Sequence, residues 1–415
     1  MNDSANTSST DPTPVGDDDG VDVVVIGGGP AGSTAANLLG QAGHRVRVLE
    51  KEIFPRFHIG ESLLPIDLPI FARLGVDLPY ERFIRKDGAE FIDETTGQTA
   101  VFTFAEGLAG TPRSAFQVER SKFDHVLLER AAACGAEIRY GVAVEAVATD
   151  DAGARVTTRD GAVHRCRYVI DATGQDALLA RTNRTVQPLK GFGIAAVFRH
   201  YDGIAPAIFD ELAVTGNIKV LMVPMGWMWM IPLAGPRLSI GLVSQQQGNS
   251  PERLAEAIAA SPILQRLTAG ATATEPRIIR NFSYRNRRSF GPRWGCIGDA
   301  SCFLDPVFSS GVSLAMLSAE FLTERLSAAL RAGRESDPHL MDDHSRHMEI
   351  GYRSFAALIN RFYNHEMVRR LFFIDTRGEE LRSGITSVLA GDLWRPENPF
   401  QQTLIRSSGH EAFSD

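Results

Sequence analysis

The 415-residue sequence lacks the features that mark several classes of protein. No apolar run reaches the roughly 18–20 residues that span a bilayer, so we expect no membrane segment. The four cysteines contain neither a CxxC pair nor a metal-ligand spacing, which predicts reduced thiols, a cytoplasmic protein and no metal site. Basic residues are not in excess, since the formal net charge is −7, and nothing indicates a nucleic-acid partner.

The first 20 residues do not resemble a targeting signal. They are polar and acidic, with neither a basic start nor an apolar stretch, and we expect residues 1–20 to form a disordered tail. The whole sequence is 44% hydrophobic and 22% charged, which is enough apolar material for a substantial core. This composition predicts one large or two intertwined globular domains.

A glycine-rich turn follows the tail. Val21–Ile26 is an apolar run rich in β-branched residues, typical of a buried parallel strand. The hexapeptide GGGPAG at 27–32 contains G-x-G-x-x-G and precedes a predicted helix at 33–41 and a predicted strand at 45–50. Glycine allows a tight turn close to a pyrophosphate, and Glu50, which ends the second strand, could bond both ribose hydroxyls. The spacing therefore predicts a dinucleotide site.

Two later stretches indicate that the dinucleotide is FAD. YVIDATG at 168–174 and WGCIGDA at 294–300 each predict a strand that enters a glycine turn, where Asp299 could accept hydrogen bonds from a ribityl chain. Both resemble flavin-binding segments of the para-hydroxybenzoate hydroxylase fold. Arg120, at the start of a predicted helix at 121–133, matches the arginine that contacts flavin in that superfamily. On its own, Arg120 would be interpreted as a surface or salt-bridge residue.

This resemblance implies an α/β fold with a GR2/para-hydroxybenzoate hydroxylase-like Rossmann-type FAD domain, an interleaved antiparallel β-sheet substrate domain and a helical C-terminal region. The implied ranges are 21–84, 112–182 and 281–330 for the discontinuous FAD domain, 85–111 and 183–280 for the substrate domain, and 331–415 for the helical region. The motif and the resemblance together assign FAD contacts to Gly27, Gly29, Ala31, Gly32, Ser33, Glu50, Lys51, Arg56, Arg120, Val144, Asp299 and Val312.

Three further stretches indicate which family within this superfamily the sequence resembles. FPRFHIGESLLP at 54–65, WMWMIP at 227–232 and DPVFSSGVSLAM at 305–316 together resemble flavin-dependent halogenases, over nearly the whole chain from 21 to about 373. W-x-W-x-I-P is the most specific of them. In a strand Trp227 and Trp229 share one face while Met228 and Met230 share the other, which ordinary core packing would explain. The resemblance implies in addition that the two indoles separate the flavin from the organic substrate.

The resemblance implies a reaction in which reduced FAD (FADH2) and O2 convert chloride or bromide into hypohalous acid. It assigns halide binding to the backbone amides of Ser310 and Gly311, with Val312 beside the flavin. It assigns the transfer of the oxidised halogen to Lys86, through a haloamine or a hydrogen bond to the acid. From the residues alone, Lys86 between Arg85 and Asp87 would be interpreted as a solvated surface lysine, and Ser310 as part of a serine-capped helix start.

One departure from the family pattern concerns the substrate. Tryptophan halogenases carry a glutamate three residues before the glycine of the halide motif, whereas this sequence has Phe308. The departure favours a phenol or pyrrole, free or tethered to an acyl or peptidyl carrier protein. The stretch DATGQDALLAR at 171–181 lacks the Asp-Gly pair of self-reducing hydroxylases, which predicts a separate NAD(P)H-dependent flavin reductase.

Other interpretations remain open at this point. A flavin-dependent monooxygenase or a geranylgeranyl reductase-like oxidoreductase would use the same fold, and a flavin-binding protein without catalysis is a third possibility. Apolar and aromatic residues recur at helical spacing over 348–373, which predicts a core helix, with a lid over the substrate as the functional alternative.

Overall fold

The computed structural model describes residues 20–245, 248–364, 372–373 and 378–407. The predicted tail, apart from Gly20, and Leu371 of the aromatic stretch lie outside these residues. The described chain forms two large sheets, two small sheets and the helices that pack on them. No described helix combines the length and the apolar character that crossing a membrane requires.

The first large sheet centres on the strand that precedes the glycine turn. This strand, β1 (Val21–Ile26), is parallel to β2 (Val46–Glu50) and to β10 (Val163–Asp171), and the apolar side chains between them are buried. The other strands are β7 (Glu137–Tyr140), β8 (Val144–Thr149), β9 (Ala154–Thr158), β19 (Phe290–Gly291) and β20 (Trp294–Cys296). Their order is β19-β20-β10-β1-β2-β7, and the hairpin of β8 and β9 attaches to β10.

Three long helices cover one face of the first sheet. They are α1 (Pro30–Gln41), α3 (Arg120–Ala133) and α8 (Ser310–Ala332). All three begin earlier than the sequence predicted. Helix α1 begins at 30 and not at 33, α3 begins at 120 and not at 121, and α8 begins at 310 and not at 313. For α1 the reason is the proline, which is well suited to a first helical position because its missing N–H would have no partner there.

The second large sheet is built from two separate parts of the chain. Its strands are β4 (Gly88–Asp93), β5 (Gln98–Thr103), β12 (Ala195–Asp202), β13 (Ile218–Val223), β14 (Gly226–Leu233), β15 (Arg237–Ser244), β16 (Thr272–Ala273) and β17 (Arg277–Arg280). The order is β16-β12-β15-β14-β13-β4-β5, with β17 also on β12. The pairs are antiparallel except for β13 with β4, which are parallel because the β4–β5 hairpin enters the sheet from a separate stretch of chain.

The two faces of this sheet have different partners, as the W-x-W alternation predicted. Met228 and Met230 pack on one face against α5 (Pro206–Ala213), α6 (Pro251–Ala260) and α7 (Pro262–Thr268). Trp227 and Trp229 lie on the opposite face, which the C-terminal helices α9 (Asp342–Phe362), α10 (Glu379–Leu389) and α11 (Pro399–Ser407) cover. Aromatic residues of α9 are buried in the same cluster, so the helical aromatic stripe is core there.

Short elements connect the two large sheets. The helix α2 (Asp67–Leu74) follows the HIGESLLP stretch, and a two-stranded sheet pairs β3 (Ile84–Lys86) with β6 (Ala115–Gln117). A three-stranded sheet has the order β11-β18-β21, and α4 lies near it; the bounds are β11 (Val186–Pro188), β18 (Tyr284–Asn286), β21 (Cys302–Phe303) and α4 (Leu178–Thr182). In the Trp294–Ala300 stretch the strand ends at Cys296, and the last three residues form a 3-10 turn.

Close packing under Trp229 gives a test of the second sheet. Gly241 lies opposite Trp229, and a Cβ on Gly241 would be 2.2 Å from the indole ring. We expect Gly241→Ala to reduce the free energy of unfolding by about 1–3 kcal/mol, because the methyl group overpacks the core. Gly378→Ala is the control, since a Cβ there meets nothing within 4 Å and φ is −60°. Urea unfolding measures both variants, and equal stabilities would contradict this packing.

Candidate active site

The carboxyl ends of parallel strands meet at one edge of the first sheet. Ile26 pairs with Asp171, and Asp171 pairs with Cys296, so these three strands end side by side. The glycine turn, Glu50 and the turn that contains Asp299 follow directly at the same edge. Three segments that are far apart in the sequence are therefore brought together where open parallel sheets bind nucleotides.

Glu50 holds the glycine turn in shape. Its Oε2 accepts the N–H of Gly28 at 2.6 Å, and its Oε1 accepts the N–H of Glu52 at 2.8 Å. The hydroxyl of Ser33 donates to the carbonyl of Gly28 at 2.9 Å. Gly32 permits a close approach, because a Cβ there would lie 1.9 Å from the carbonyl oxygen of Gly27. The carboxylate thus orders the turn.

The start of α1 is open to an anion. Its N-cap, Gly29, supplies no side-chain hydrogen bond, so the N–H groups of the first turn have no protein partner of that kind. Ala31 is small and buried against the sheet and α8, which lets the helix lie close to the turn. Free N–H groups at the positive end of a helix dipole suit a pyrophosphate, so the turn fits FAD.

The other residues assigned to FAD surround this turn at different depths. Arg56 lies close to it, with Nη2 3.6 Å from the position of a Cβ on Gly29. Lys51 is exposed and forms an ion pair with Asp176. Val144 opens β8 and packs, half-buried, at the side of the sheet opposite the long helices. Arg56 is held there by the buried Asp124, to which its Nη1 donates at 2.8 Å.

Arg120 is fixed by a buried carboxylate. Its Nε and Nη2 donate to the two oxygens of Asp124 at 2.6 and 2.9 Å, and its Nη1 donates to the carbonyl of Ile59 at 2.7 Å. Burial alone would raise the pKa of Asp124, but Arg120 and Arg56 lower it below its ordinary value. Burial raises the pKa of Asp299 to about 7, and the charge of Arg120 opposes that rise. Arg120 and Asp299 are therefore electrostatically coupled.

The SSG turn forms the start of a 23-residue helix. Asp305 caps the 3-10 turn before it, and Ser309 adopts the left-handed conformation with φ 57°. Ser310, Gly311 and Val312 then make the first turn of α8, where N–H groups have no acceptor within the helix. Consecutive N–H groups at the positive end of a long helix are suited to a small anion.

Lys86 is buried, with only 1% of its surface exposed. It ends β3, and because strand neighbours face opposite sides, Arg85 and Asp87 form an ion pair on the outer side. Nζ of Lys86 donates to Ser62 Oγ at 2.9 Å and to the carbonyl of Leu63 at 2.8 Å. Burial lowers the pKa of Lys86 to about 7. The surface interpretation of Lys86 is therefore wrong.

The two tryptophans are buried side by side and held by hydrogen bonds. Their ring centroids are 6.0 Å apart. The indole N–H of Trp229 donates to Ser239 Oγ, and that of Trp227 to Tyr363 Oη, each at 3.1 Å. The hydroxyl of Tyr363 donates to Asp305 at 2.8 Å, so Trp227 is linked to the residue that caps the 3-10 turn before the SSG turn. Burial raises the pKa of Asp305 to about 6.

Phe308 lies in an aromatic cluster. Its ring centroid is 5.7 Å from that of Phe362 and 6.3 Å from that of Phe91. Phe372 stacks on Phe91 with centroids 4.3 Å apart and ring planes 12° from parallel. Trp227 contacts Phe362 edge to face at 6.1 Å. The region next to the SSG turn is thus lined with phenylalanine, where a glutamate would otherwise project.

Several residues of the site were missed by the sequence analysis. Asp124 had a signal, because it lies four residues after Arg120 on the same helix face. Tyr363 and Asp67 had none, since their partners are distant in sequence or unremarkable in type. The structure brings Tyr363 to Trp227, and Asp67 to the surroundings of Lys86.

Comparison with known families agrees with this geometry. The family model described as tryptophan halogenase matches residues 22–112 and 105–391, which is most of the chain. The chain belongs to this family of flavin-dependent halogenases. It is accordingly an FAD-dependent enzyme that uses a halide.

Among curated proteins, this halogenase is similar to a tryptophan 2-halogenase of Chondromyces crocatus, with 31% identity over 370 residues, 85% of this chain and 69% of that protein. It is also 30% identical over 412 residues to a chlorinase of 1H-pyrrole-2-carbonyl on a peptidyl-carrier protein from Pseudomonas fluorescens, covering 90% of this chain and 89% of that protein.

Solved structures give the same picture. The flavin-dependent brominase Bmp2 superposes with a TM-score of 0.80 at 26% identity, covering 93% of this halogenase and 97% of that chain. The myxobacterial chondrochloren halogenase CndH superposes with a TM-score of 0.73 at 29% identity, covering 94% and 96%. The predicted FAD-binding α/β fold is confirmed.

Removal of the Glu50 charge tests the FAD turn. We expect Glu50→Gln to weaken FAD binding by about 10-fold or more, because the amide has one acceptor oxygen for two backbone N–H donors and loses a charge-assisted bond. Glu129→Gln on exposed α3 surface is the control. Fluorescence titration of the apoprotein with FAD gives both affinities. Unchanged affinity in Glu50→Gln would show that this carboxylate does not shape the cofactor site.

Proposed function

We propose that this halogenase makes hypohalous acid from chloride or bromide and delivers the halogen through Lys86 to an electron-rich aromatic ring, a phenol or a pyrrole. The observation that carries the proposal is the burial of Lys86. A buried amine with fixed hydrogen bonds to Ser62 and Leu63 has little value as a solubilising surface group. It is well placed to react.

The cofactor site has the residues that the oxidation needs. FAD, reduced and exposed to O2, supplies the two-electron oxidation of halide to hypohalous acid. Glu50, Arg120 and Asp299 would hold the cofactor at the sheet edge, and the first turn of α8 would hold the halide on the N–H groups of Ser310 and Gly311. Val312, next in that turn, packs in the same cluster as Leu63 and so links the halide turn to the surroundings of Lys86.

The hydrogen bonds of Lys86 suit a neutral amine. Such an amine has two N–H donors, which Ser62 and Leu63 can accept, and a lone pair that remains free. Because burial brings its pKa to about 7, a substantial fraction is neutral at physiological pH. The lone pair attacks the halogen of hypohalous acid and the O–halogen bond breaks. The hydroxide that leaves takes a proton from nitrogen to give a haloamine and water.

The tryptophan pair would keep the organic ring away from the cofactor. Trp227 and Trp229 are rigid, since each indole is buried and each N–H is bonded. Through Tyr363 and Asp305, the position of Trp227 depends on the turn that would bind halide. Only a small oxidant such as hypohalous acid would then move between the two sides. Direct hydroxylation of the ring would be suppressed.

The aromatic cluster supports a phenol or pyrrole substrate. The cluster holds no carboxylate at position 308 that could polarise a weakly activated carbon, since Phe308 packs there against Phe91 and Phe362. Phenols and pyrroles need no such help. The similarity to a pyrrole chlorinase that acts on a carrier-bound substrate supports the same class, free or carrier-tethered. Electrons would come from a separate NAD(P)H-dependent flavin reductase.

A substrate panel tests the reaction class. Purified protein with FAD, a flavin reductase, NADH and bromide is incubated with phenols, pyrroles and tryptophan. Mass spectrometry follows the products. We expect the bromine isotope doublet with phenols or pyrroles and little product with tryptophan. A gain of one oxygen would indicate a hydroxylase, and preferential bromination of tryptophan would contradict the substrate class.

Replacement of the buried amine tests the transfer step. We expect Lys86→Met to reduce halogenation by about 100-fold or more while reduced flavin is still reoxidised, because the halogen acceptor is lost but the oxidation is not. Methionine fills the apolar cavity and protects the fold. Lys190→Met, at an exposed lysine, is the matched control. Normal halogenation by Lys86→Met would exclude the proposed role of Lys86.

A further inference from the structure

Asp67 is a wholly buried carboxyl close to Lys86 that the mechanism above does not use. Its exposed fraction is 0%, and it is the first residue of α2. Its N–H donates to the carbonyl of Leu64 at 3.1 Å, and its Oδ2 accepts the N–H of Leu64 at 3.2 Å. These two bonds close a turn directly after Leu63, whose carbonyl binds Lys86. Lys86 and Asp67 thus bind the carbonyl and the N–H of one peptide unit, the one between Leu63 and Leu64.

The turn accounts for only half of the Asp67 carboxyl. Within the described residues, Oδ1 accepts no well-formed hydrogen bond, although the Ser313 hydroxyl is close enough to favour the charged carboxyl. An asparagine would close the same turn with one oxygen. A carboxylate with an unbonded oxygen in a dry site is unfavourable unless it is neutral or faces an opposite charge. The turn alone therefore does not explain an aspartate at position 67.

The opposite charge is Lys86. Burial lowers the pKa of Lys86 to about 7, and the charge of Asp67 opposes that fall. Burial raises the pKa of Asp67 to about 7, while the Ser313 hydroxyl, the Leu64 N–H and the charge of Lys86 oppose that rise. The charge of each acts on the other, and the hydroxyls of Ser62 and Ser313 and the ring of Phe104 also face the pair.

We infer that Asp67 is a positioning residue for the proton of Lys86, and this inference rests on the proposed role of Lys86 in halogen transfer. The ammonium with a carboxylate and the amine with a carboxylic acid are two forms of one pair with the same net charge. Lys86 can therefore be neutral for attack on the halogen while Asp67 is protonated, with no change in the net charge of the two groups.

The charge of Asp67 also determines where Lys86 titrates. Without it, desolvation would act alone and Lys86 would lose its proton at lower pH. Because the reactive form is the neutral amine, halogenation should rise with pH through the titration of the pair. Removing the charge of Asp67 moves that rise to lower pH and leaves the rate on the alkaline side nearly unchanged.

Nuclear magnetic resonance of labelled lysine side chains tests the pair directly. The chain has five lysines, Lys51, Lys86, Lys122, Lys190 and Lys219, so the side-chain signals are few. The FAD-bound protein is titrated with the flavin oxidised, and the Lys86 signal is assigned from its absence in Lys86→Met. We expect a wild-type midpoint near 7 and a midpoint at least about one pH unit lower in Asp67→Asn.

Two further variants make the result specific. Asp150→Asn, which changes an exposed turn-closing aspartate, should leave the Lys86 midpoint where it is in the wild type. Ser313→Ala should lower the midpoint in the same direction but by less, because the hydroxyl that favours the charged carboxyl is lost. An unchanged Lys86 midpoint in Asp67→Asn would overturn the inference, provided that the variant binds FAD with normal stoichiometry.

The pH profile of bromination separates this inference from the proposed function. In Asp67→Asn the acid limb should move by the same amount as the Lys86 midpoint, with the rate at pH 8.5 within about threefold of wild type. If the Lys86 midpoint shifts in Asp67→Asn but the acid limb of the bromination profile does not, protonation of the pair does not control halogen transfer, and the inference is overturned. Normal bromination by Lys86→Met would instead reject the proposed function. The resonance titrations of wild type and Asp67→Asn would still show whether the charge of Asp67 shifts the titration of Lys86.

Discussion

A buried amine is stable only where its N–H groups are hydrogen-bonded or its charge is balanced by an opposite charge. This constraint determines how the residues between the two large sheets are arranged. Ser62 and Leu63 accept from Lys86, and Asp67 supplies the opposite charge from the turn that follows. The same HIGESLLP stretch also supplies Ile59, whose carbonyl binds Arg120 beside the cofactor turn. One short segment thus contacts Arg120 near its start and the buried Lys86 at its end.

The second organising feature is the link between the tryptophan strand and the SSG turn at the start of α8. Trp227, Tyr363 and Asp305 form a chain of hydrogen bonds from the middle of the second sheet to the cap before α8. The wall that would separate cofactor from substrate is therefore tied to the place where the halide would bind. A displacement of the tryptophan strand would shift the first turn of α8, and the reverse, because the interior between them is close-packed.

Local sequence patterns predicted those segments whose structure depends on residues near one another in the sequence. The turn at 27–32 with Glu50, and the alternation of Trp227 and Met228, depend on glycine geometry and on the two-residue period of a strand. Helix starts were less accurate, since proline at 30 and the left-handed Ser309 mark α1 and α8 earlier than apolar spacing does. The parallel pairing of β13 with β4 was not predicted, because it joins stretches more than a hundred residues apart.

The sequence by itself determined the family, the cofactor turn and the residue types available for halogen transfer, because these are carried by contiguous motifs. Only the tertiary structure decided that Lys86 is buried while its neighbours Arg85 and Asp87 pair outside. It alone placed Asp67 and Tyr363 in the site, because the pKa of a lysine and the partner of an indole depend on groups brought close by folding. Burial and charge are properties of that three-dimensional neighbourhood and cannot be read from residue order.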